Sequence, residues 1–155
     1  MKSFDPNSVT FEQGAARVQA ATKRVGLDVN RGIVTSRDAR AAELRSVLRV
    51  RNVPQGFTKW QLPIVLDRAQ LFMTVGAANA RVEEHSHDEG AGVRFIVSGS
   101  IRYGGHELTA GDWMYIPAGL RYSFEVGDLG AVMCYCYSCC CAGIEDLADL
   151  VVLPV

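Results

Sequence analysis

Hydrophobic and polar positions follow two different periods along this chain. Over the first fifty residues, apolar side chains recur every three or four positions. Phe11, Ala15, Val18, Ala21 and Val25 fall on one helical face. Thr10 followed by Gln13 forms a capping-box signature ahead of them, and Gly26 is a natural stop. A second helical segment begins near Thr35 and Asp38 and carries Ala41, Leu44, Val47 and Leu48 on one side. Both apolar stripes are narrow, so these helices are expected to lie against something larger or against a partner subunit.

From about Val53 the period falls to two. Segments near 62–75, 79–87, 93–98, 100–103, 112–117, 121–126 and 131–137 are short and rich in Val, Ile, Phe, Tyr and Met. Turn material separates them: Gly76, Asp88-Glu89-Gly90, Gly99, Gly104-Gly105, Gly111, Pro117-Ala118-Gly119 and Gly127-Asp128. Many short strands at this spacing predict an antiparallel sandwich or barrel. The organisation expected is a helical extension over 1–52, a β-barrel over 53–143, and a tail over 144–155. The apolar end of that tail is expected to pack on the barrel or across a homodimer interface.

Composition narrows the classes. With 155 residues there is room for one domain. The 16 basic and 17 acidic residues nearly cancel, which argues against nucleic-acid binding, where a cationic surplus displaces counterions from phosphates. No run reaches the length of a membrane span, and the first residues lack the apolar stretch of a signal peptide, so a soluble, cytoplasmic protein is expected. All five cysteines lie between Cys134 and Cys141. An odd number so close together reads as reduced thiols, since a disulfide framework would close long loops.

Chemistry concentrates in two clusters. In His85-Ser86-His87, strand alternation points both imidazoles to one side, where they could bind one divalent ion. The plainer reading is a pair of solvent-facing histidines among Glu83, Glu84, Asp88 and Glu89. The second cluster, Gly111 to Tyr122, reads as a turn, a strand and a Pro-x-Gly turn into another strand.

Together the clusters resemble the paired motifs of the cupin superfamily. His85, His87 and Gly99 match the first motif, and Gly111, Pro117 and Gly119 match the second. The resemblance covers about residues 62–140. It implies a mainly β fold, a single cupin double-stranded β-helix or jelly-roll-like barrel, here with an N-terminal helical segment, and often a dimer holding a metal. The chain departs from the pattern at the ligands themselves. The glutamate position falls on Gly92 (or Ala91), the second-motif histidine is Tyr122, and Asn79 replaces an opening glycine, a mild change because Asn tolerates left-handed backbone.

The alignment turns Tyr122 toward the cavity, as a hydrogen-bond donor and acid or as a lining aromatic. Glu89 could fold back as a third ligand, and Cys134 and Cys136 would be soft ligands if their strand face is the inner one. His106 reads as a surface turn residue. Arg94 follows Gly92 by two and so faces inward, where a substrate carboxylate or phosphate would satisfy it. Phe72, Ile96, Tyr115 and Phe124 are the other expected walls.

Three functions follow. The first is an enzyme holding Fe, Zn, Ni or Mn through His85, His87 and Glu89, and acting on a small anionic organic substrate as an oxygenase, lyase or isomerase. The second is a metal-free dehydratase or epimerase with histidine as base and Tyr122 as acid. The third is a barrel that binds a ligand without turnover.

Overall fold

The computed structural model describes residues 9–55, 57–66 and 68–138. The cysteines at 139–141 and the tail over 144–155 lie outside them. In chain order the elements are α1 (Phe11–Val25), β1 (Val34–Thr35), α2 (Ala39–Val47), β2 (Arg49–Val50) and β3 (Lys59–Trp60). There follow β4 (Gln70–Gly76), β5 (Arg81–His85), β6 (Gly92–Tyr103), β7 (His106–Thr109), β8 (Trp113–Ile116) and β9 (Tyr122–Tyr137).

The helices form where the periodicity places them. The Thr10 side chain accepts from the Gln13 backbone while the Gln13 side chain accepts from the Thr10 backbone, and Gly26 ends α1 in the left-handed region. Val18 and Ala21 pack on Leu44 and Leu48 of the second helical segment. Phe11, expected on that same face, is exposed. The Arg17 guanidinium donates to the carbonyls of Val47, Leu48 and Arg49, satisfying acceptors that the end of α2 leaves open.

All sheet pairings are antiparallel, and β6 and β9 are their spine. Across one end of these two long strands the order is β1-β8-β6-β9-β4; across the other, β5 joins β9 and β7 joins β6. The inner faces of both ends share one core, which includes Ile96, Ile101, Leu108, Met114, Ile116, Phe124, Val126, Met133 and Tyr135.

The sequence reading divides β6 at Gly99 and β9 at Gly127-Asp128, and the structure joins both. The register between them shifts at Ile96–Ser98 and at Gly99–Ile101, so an extra residue bends the strands without reversing them. Positive φ at Gly99 and Gly130 provides the bend. The strand expected near 62–75 begins only at Gln70, the first residue of β4. The short strand β7 was read as turn material; it is a polar edge strand whose one buried residue is Leu108, too brief to show alternation. Asn79 does adopt the left-handed backbone expected of it, with φ 60°.

A second layer covers the outer face of the larger half. Val34, Ala41, Val93, Trp113 and Tyr115 form its core, joined by Leu27, Leu62, Ile64, Phe95 and Cys136. Asp112 fastens this layer: it accepts from the Ser36 hydroxyl at 2.7 Å and pairs with Arg37 at 2.7 Å. No helix among the described residues is long and apolar enough to cross a membrane.

The bend makes a testable demand on Gly99. A Cβ there would strike the Gly130 carbonyl oxygen, at a φ of +69° that L side chains rarely adopt. At Gly105, φ is equally unusual (+79°) but the space is open. In urea titrations, Gly99→Ala is expected to cost about 3 kcal/mol and Gly105→Ala about 1 kcal/mol. Equal costs would show that the close approach of the two strands at the bend is not what holds it.

Candidate functional site

Parity along the strands decides which side chains meet. On β6, Arg94 and Ile96 point inward while Val93 and Phe95 point outward. On β9, Tyr122, Phe124, Met133, Tyr135 and Tyr137 belong to the inner core. Cys136 packs on the outer layer. Cys134, two residues away on the same strand, shares that outer face, so the cysteine ligands considered from sequence are turned away from the histidines. Burial raises the pKa of the Cys136 thiol further, as expected for a structural thiol.

Tyr115 corrects an expectation. It was taken as a cavity wall, yet it lies in the outer core with Trp113 and Val34. The inward residues of β8 are Met114 and Ile116, one register step away. A four-residue strand buried on both faces carries no alternation from which to choose.

His85 ends β5 and pairs directly with Tyr122. Its Nδ1 lies 2.8 Å from the Glu83 carbonyl oxygen. A carbonyl only accepts, so Nδ1 carries the proton and Nε2 is the basic nitrogen. His87 lies just beyond the strand, with its ring centroid 5.0 Å from that of His85. The Pro117-Ala118-Gly119 turn holds it in place: the Gly119 amide donates to the His87 carbonyl at 3.0 Å. Thus the two sequence motifs meet through a backbone hydrogen bond.

The His87 Nε2 faces two phenols, the hydroxyls of Tyr122 and Tyr137, at 3.3 Å each. Burial, then the charges of His85 and Arg94, lower the His87 pKa, and Asp88 offsets this in part. Burial pushes the Tyr137 hydroxyl up to about 12 and that of Tyr135 higher still. The His87 imidazole is therefore neutral, and the Tyr135 and Tyr137 hydroxyls protonated, near neutral pH.

Arg94 is buried, as its place beside Gly92 predicted, with 5% of its surface exposed. Its guanidinium lies over two aromatic rings, 4.2 Å from the centroid of Tyr135 and 4.8 Å from that of Phe124. Nη1 approaches the Met133 sulfur at 3.6 Å, a weak acceptor, and Nε has no partner. Phe72 packs edge-on against Tyr137 with centroids 5.7 Å apart. Phe124 stacks on Tyr122.

Tyr135 and Tyr137 are site residues that the sequence reading passed over within the cysteine run. The signal was present: in Met133-Cys134-Tyr135-Cys136-Tyr137, alternation places both tyrosines opposite the cysteines. Tyr135 also explains Gly92. A Cβ at position 92 would lie 2.8 Å from the ring and the hydroxyl oxygen of Tyr135. The space that a glutamate would need there is filled by a phenol.

These residues do not fit a metal ion held by three histidines and a glutamate. Among the described residues no third His, Cys, Asp or Glu joins His85 and His87 to form a ligand group. Glu89 is exposed and does not complete a set. Nε2 of His87 already faces the two hydroxyls, and the buried guanidinium adds positive charge nearby. His106 is exposed at the start of β7. A groove of about 820 Å³ crosses the smaller half of the sheet; it reaches Tyr122 and Phe124 but not His85, His87 or Arg94. Its charges are mostly satisfied by one another, through Arg81–Glu125 and the pairs of Arg102 with Glu125 and Asp128.

The contact between Tyr135 and Gly92 predicts a thermodynamic coupling. Gly92→Ala is expected to cost about 2 kcal/mol in the wild type, because the ring must move. In a Tyr135→Val background the same substitution should be close to neutral. A double-mutant cycle by urea denaturation measures this, and additive effects would show that the ring does not occupy the place of the missing side chain.

No protein-family model matches the chain, and no curated protein matches it. Solved structures do. A protein of unknown function with a cupin-like fold from Ralstonia eutropha JMP134 is 20% identical, with 44% of this chain matched to 45% of that one at a TM-score of 0.40. An RmlC-like cupin from Shewanella frigidimarina NCIMB 400 is also 20% identical, over 54% of this chain and 71% of its own, at 0.41. The salicylate 1,2-dioxygenase of Pseudoaminobacter salicylatoxidans, with gentisate adducts, is 15% identical over 83% of this chain at 0.39. The chain spans only 45% of the first of these and 31% of the dioxygenase. Likenesses of this degree say nothing about activity, and the fold rests on strand order and register. By these the chain is a mainly β protein, a large bent antiparallel sheet preceded by a helical segment.

Proposed function

We propose that this protein is an enzyme that moves protons on a small organic anion by acid–base catalysis, in the manner of a lyase or isomerase. The observation that carries the reading is the junction of His85, His87 and Tyr122. The Tyr122 hydroxyl meets His87 Nε2 at 3.3 Å, and its ring lies 4.6 Å from that of His85. The metal-dependent reading suggested by the His-x-His motif finds less support, because phenols stand where further ligands would be.

The roles follow from the hydrogen bonds. His85, with its proton fixed on Nδ1, offers Nε2 to remove a proton from a carbon next to a carbonyl. Tyr122 gives its proton either to the opposite face of that carbon or to a departing oxygen. Neutral His87, as its Nε2–H tautomer, would donate to the Tyr122 oxygen, which orients the phenol and leaves its proton free for the substrate. The proton gained by His85 returns to solvent at its partly exposed edge, and buried Tyr122 is reprotonated through the polar groups beside it. The aromatic walls Phe72, Phe124 and Tyr137 exclude water from the reacting carbon, which strengthens each polar contact.

Deuterium incorporation next to the carbonyl, followed by NMR over a panel of small 2-oxo and 3-hydroxy carboxylates, tests the reading. Wild-type protein is expected to exchange at least one of them, with or without chelator. His85→Gln and Tyr122→Phe should each slow exchange by about 10²- to 10⁴-fold. Exchange that chelator abolishes and added metal restores would overturn the proposal, as would no exchange with any member of the panel.

The lowered pKa of His87 adds a prediction about stability. The unfolded chain binds a proton at this residue near pH ~6.5, and the folded chain does so only at lower pH. Stability is therefore complete above that value and declines as pH falls through the window between the two. The groups facing the imidazole are His85, Arg94, Asp88 and the hydroxyls of Tyr122 and Tyr137. In His87→Gln, thermal melts between pH 7 and pH 5 should show a smaller loss than in wild type. An unchanged slope would place the acid sensitivity elsewhere.

A further inference from the structure

Two buried polar atoms have no hydrogen-bond partner, and they belong to neighbouring side chains. One is Arg94 Nε and the other is the Tyr135 hydroxyl oxygen. Arg94 is 5% exposed and Tyr135 1%. The guanidinium lies 4.2 Å from the ring centroid of Tyr135, and the two residues face each other across the β6–β9 pairing. Apart from Thr35, Arg94 is the only buried polar or charged residue among those described.

An unpaired guanidinium in a protein interior is costly. Stacking on Phe124 and Tyr135 offsets part of that cost, but rings accept no hydrogen bond along the N–H directions. The Met133 sulfur, a poor acceptor, meets Nη1, and the Tyr137 hydroxyl also interacts with the guanidinium, but Nε is left without a partner. The Tyr135 hydroxyl lies beside that of Tyr122 without making a well-formed bond to it. The Arg94 Nε–H only donates and the Tyr135 hydroxyl can donate, so an oxygen acceptor would satisfy both, and the charge of the guanidinium favours an anionic one.

From this geometry we infer that Arg94 and Tyr135 form a carboxylate-binding subsite specific for small monocarboxylates. This deepens the acid–base reading, and rests on it only for the statement that the bound anion is the substrate. One carboxylate oxygen accepts from the guanidinium and the carboxylate also accepts from the Tyr135 hydroxyl. The apolar remainder of the molecule lies among Phe72, Phe124 and Tyr137. A single charge is specified because no second buried cation is present among the described residues, and His87 is held neutral. A dicarboxylate would leave its second charge against aromatic walls.

Binding without turnover tests this. The probes are sodium propanoate, propanamide as a neutral counterpart, succinate as a dicarboxylate, and sodium chloride at matched ionic strength. Propanoate should raise the melting temperature and saturate in calorimetric titration. Propanamide and chloride should do neither, and succinate should bind at least tenfold more weakly. Arg94→Met should lose propanoate binding by at least a hundredfold. Its melting temperature without ligand should not fall, because removing an unpaired buried charge removes its desolvation cost as well. Tyr135→Phe, which keeps the ring, should weaken binding about tenfold, and Arg102→Met in the surface charge network should change nothing.

Retention of propanoate binding in Arg94→Met would overturn the subsite, as would an equal response to chloride. His85→Gln separates the two proposals, since it removes the base and should fail in proton exchange while still binding propanoate. If propanoate binds only with Arg94 present and no exchange occurs, the subsite stands and the catalytic reading falls. If exchange occurs but no anion binds, the reverse holds.

Discussion

The pairing of β6 with β9 is the constraint on which the rest of the structure depends. These two strands run through both halves of the sheet, and every other strand of that sheet except β1 pairs with one of them. Their register, Arg94 opposite Tyr135 and Gly92 opposite Tyr137 on one side of the bend, Arg102 opposite Glu125 on the other, sets which side chains enter the interior. A slip of one residue would exchange the arginine and tyrosines for Val93, Phe95 and the cysteines. The bulges where the strands bend also fix that register, and there glycine at Gly99 allows a backbone approach that no side chain would permit.

The interior built in this way is unusual for its polarity. Three tyrosines, two histidines and an arginine meet among residues that otherwise form an ordinary apolar core. Tyr135 touches several parts of it: its ring lies against Gly92, under the Arg94 guanidinium, and 5.9 Å from the ring of His87. Filling that volume with a phenol takes away the place of a carboxylate ligand and gives Arg94 a face to stack on. The loss of a metal-ligand pattern and the burial of an unpaired cation are thus two results of one packing choice.

Much of this was legible in the chain. The capping box at Thr10, the stop at Gly26, the change of period and the turn at Pro117-Ala118-Gly119 are local features, and local stereochemistry decides them. The paired motifs located His85, His87 and Tyr122 and turned Arg94 inward by parity, and the structure brings these four into one compartment. Glu89 could not be placed from the sequence, because a turn acidic residue two positions beyond His87 says nothing of whether the loop folds back; in the structure it is exposed. Tyr115 was misread because β8 is buried on both faces, so its pattern has no polar side to reveal the inner one.

What the sequence by itself determined was the kind of element at each place and, where one face is polar, its orientation. Periodicity and turn chemistry are properties of neighbouring residues and need no partner strand. Only the tertiary structure decided whether Gly99 and Gly127 reverse the chain or bend it, which face of the cysteine run is inner, and that Tyr135 fills the space over Gly92. Each of these is a contact between residues more than twenty positions apart, set by strand register and by competition for volume in a shared core. Such competition leaves no mark in a local pattern, because the glycine and the phenol that answer each other lie on different strands.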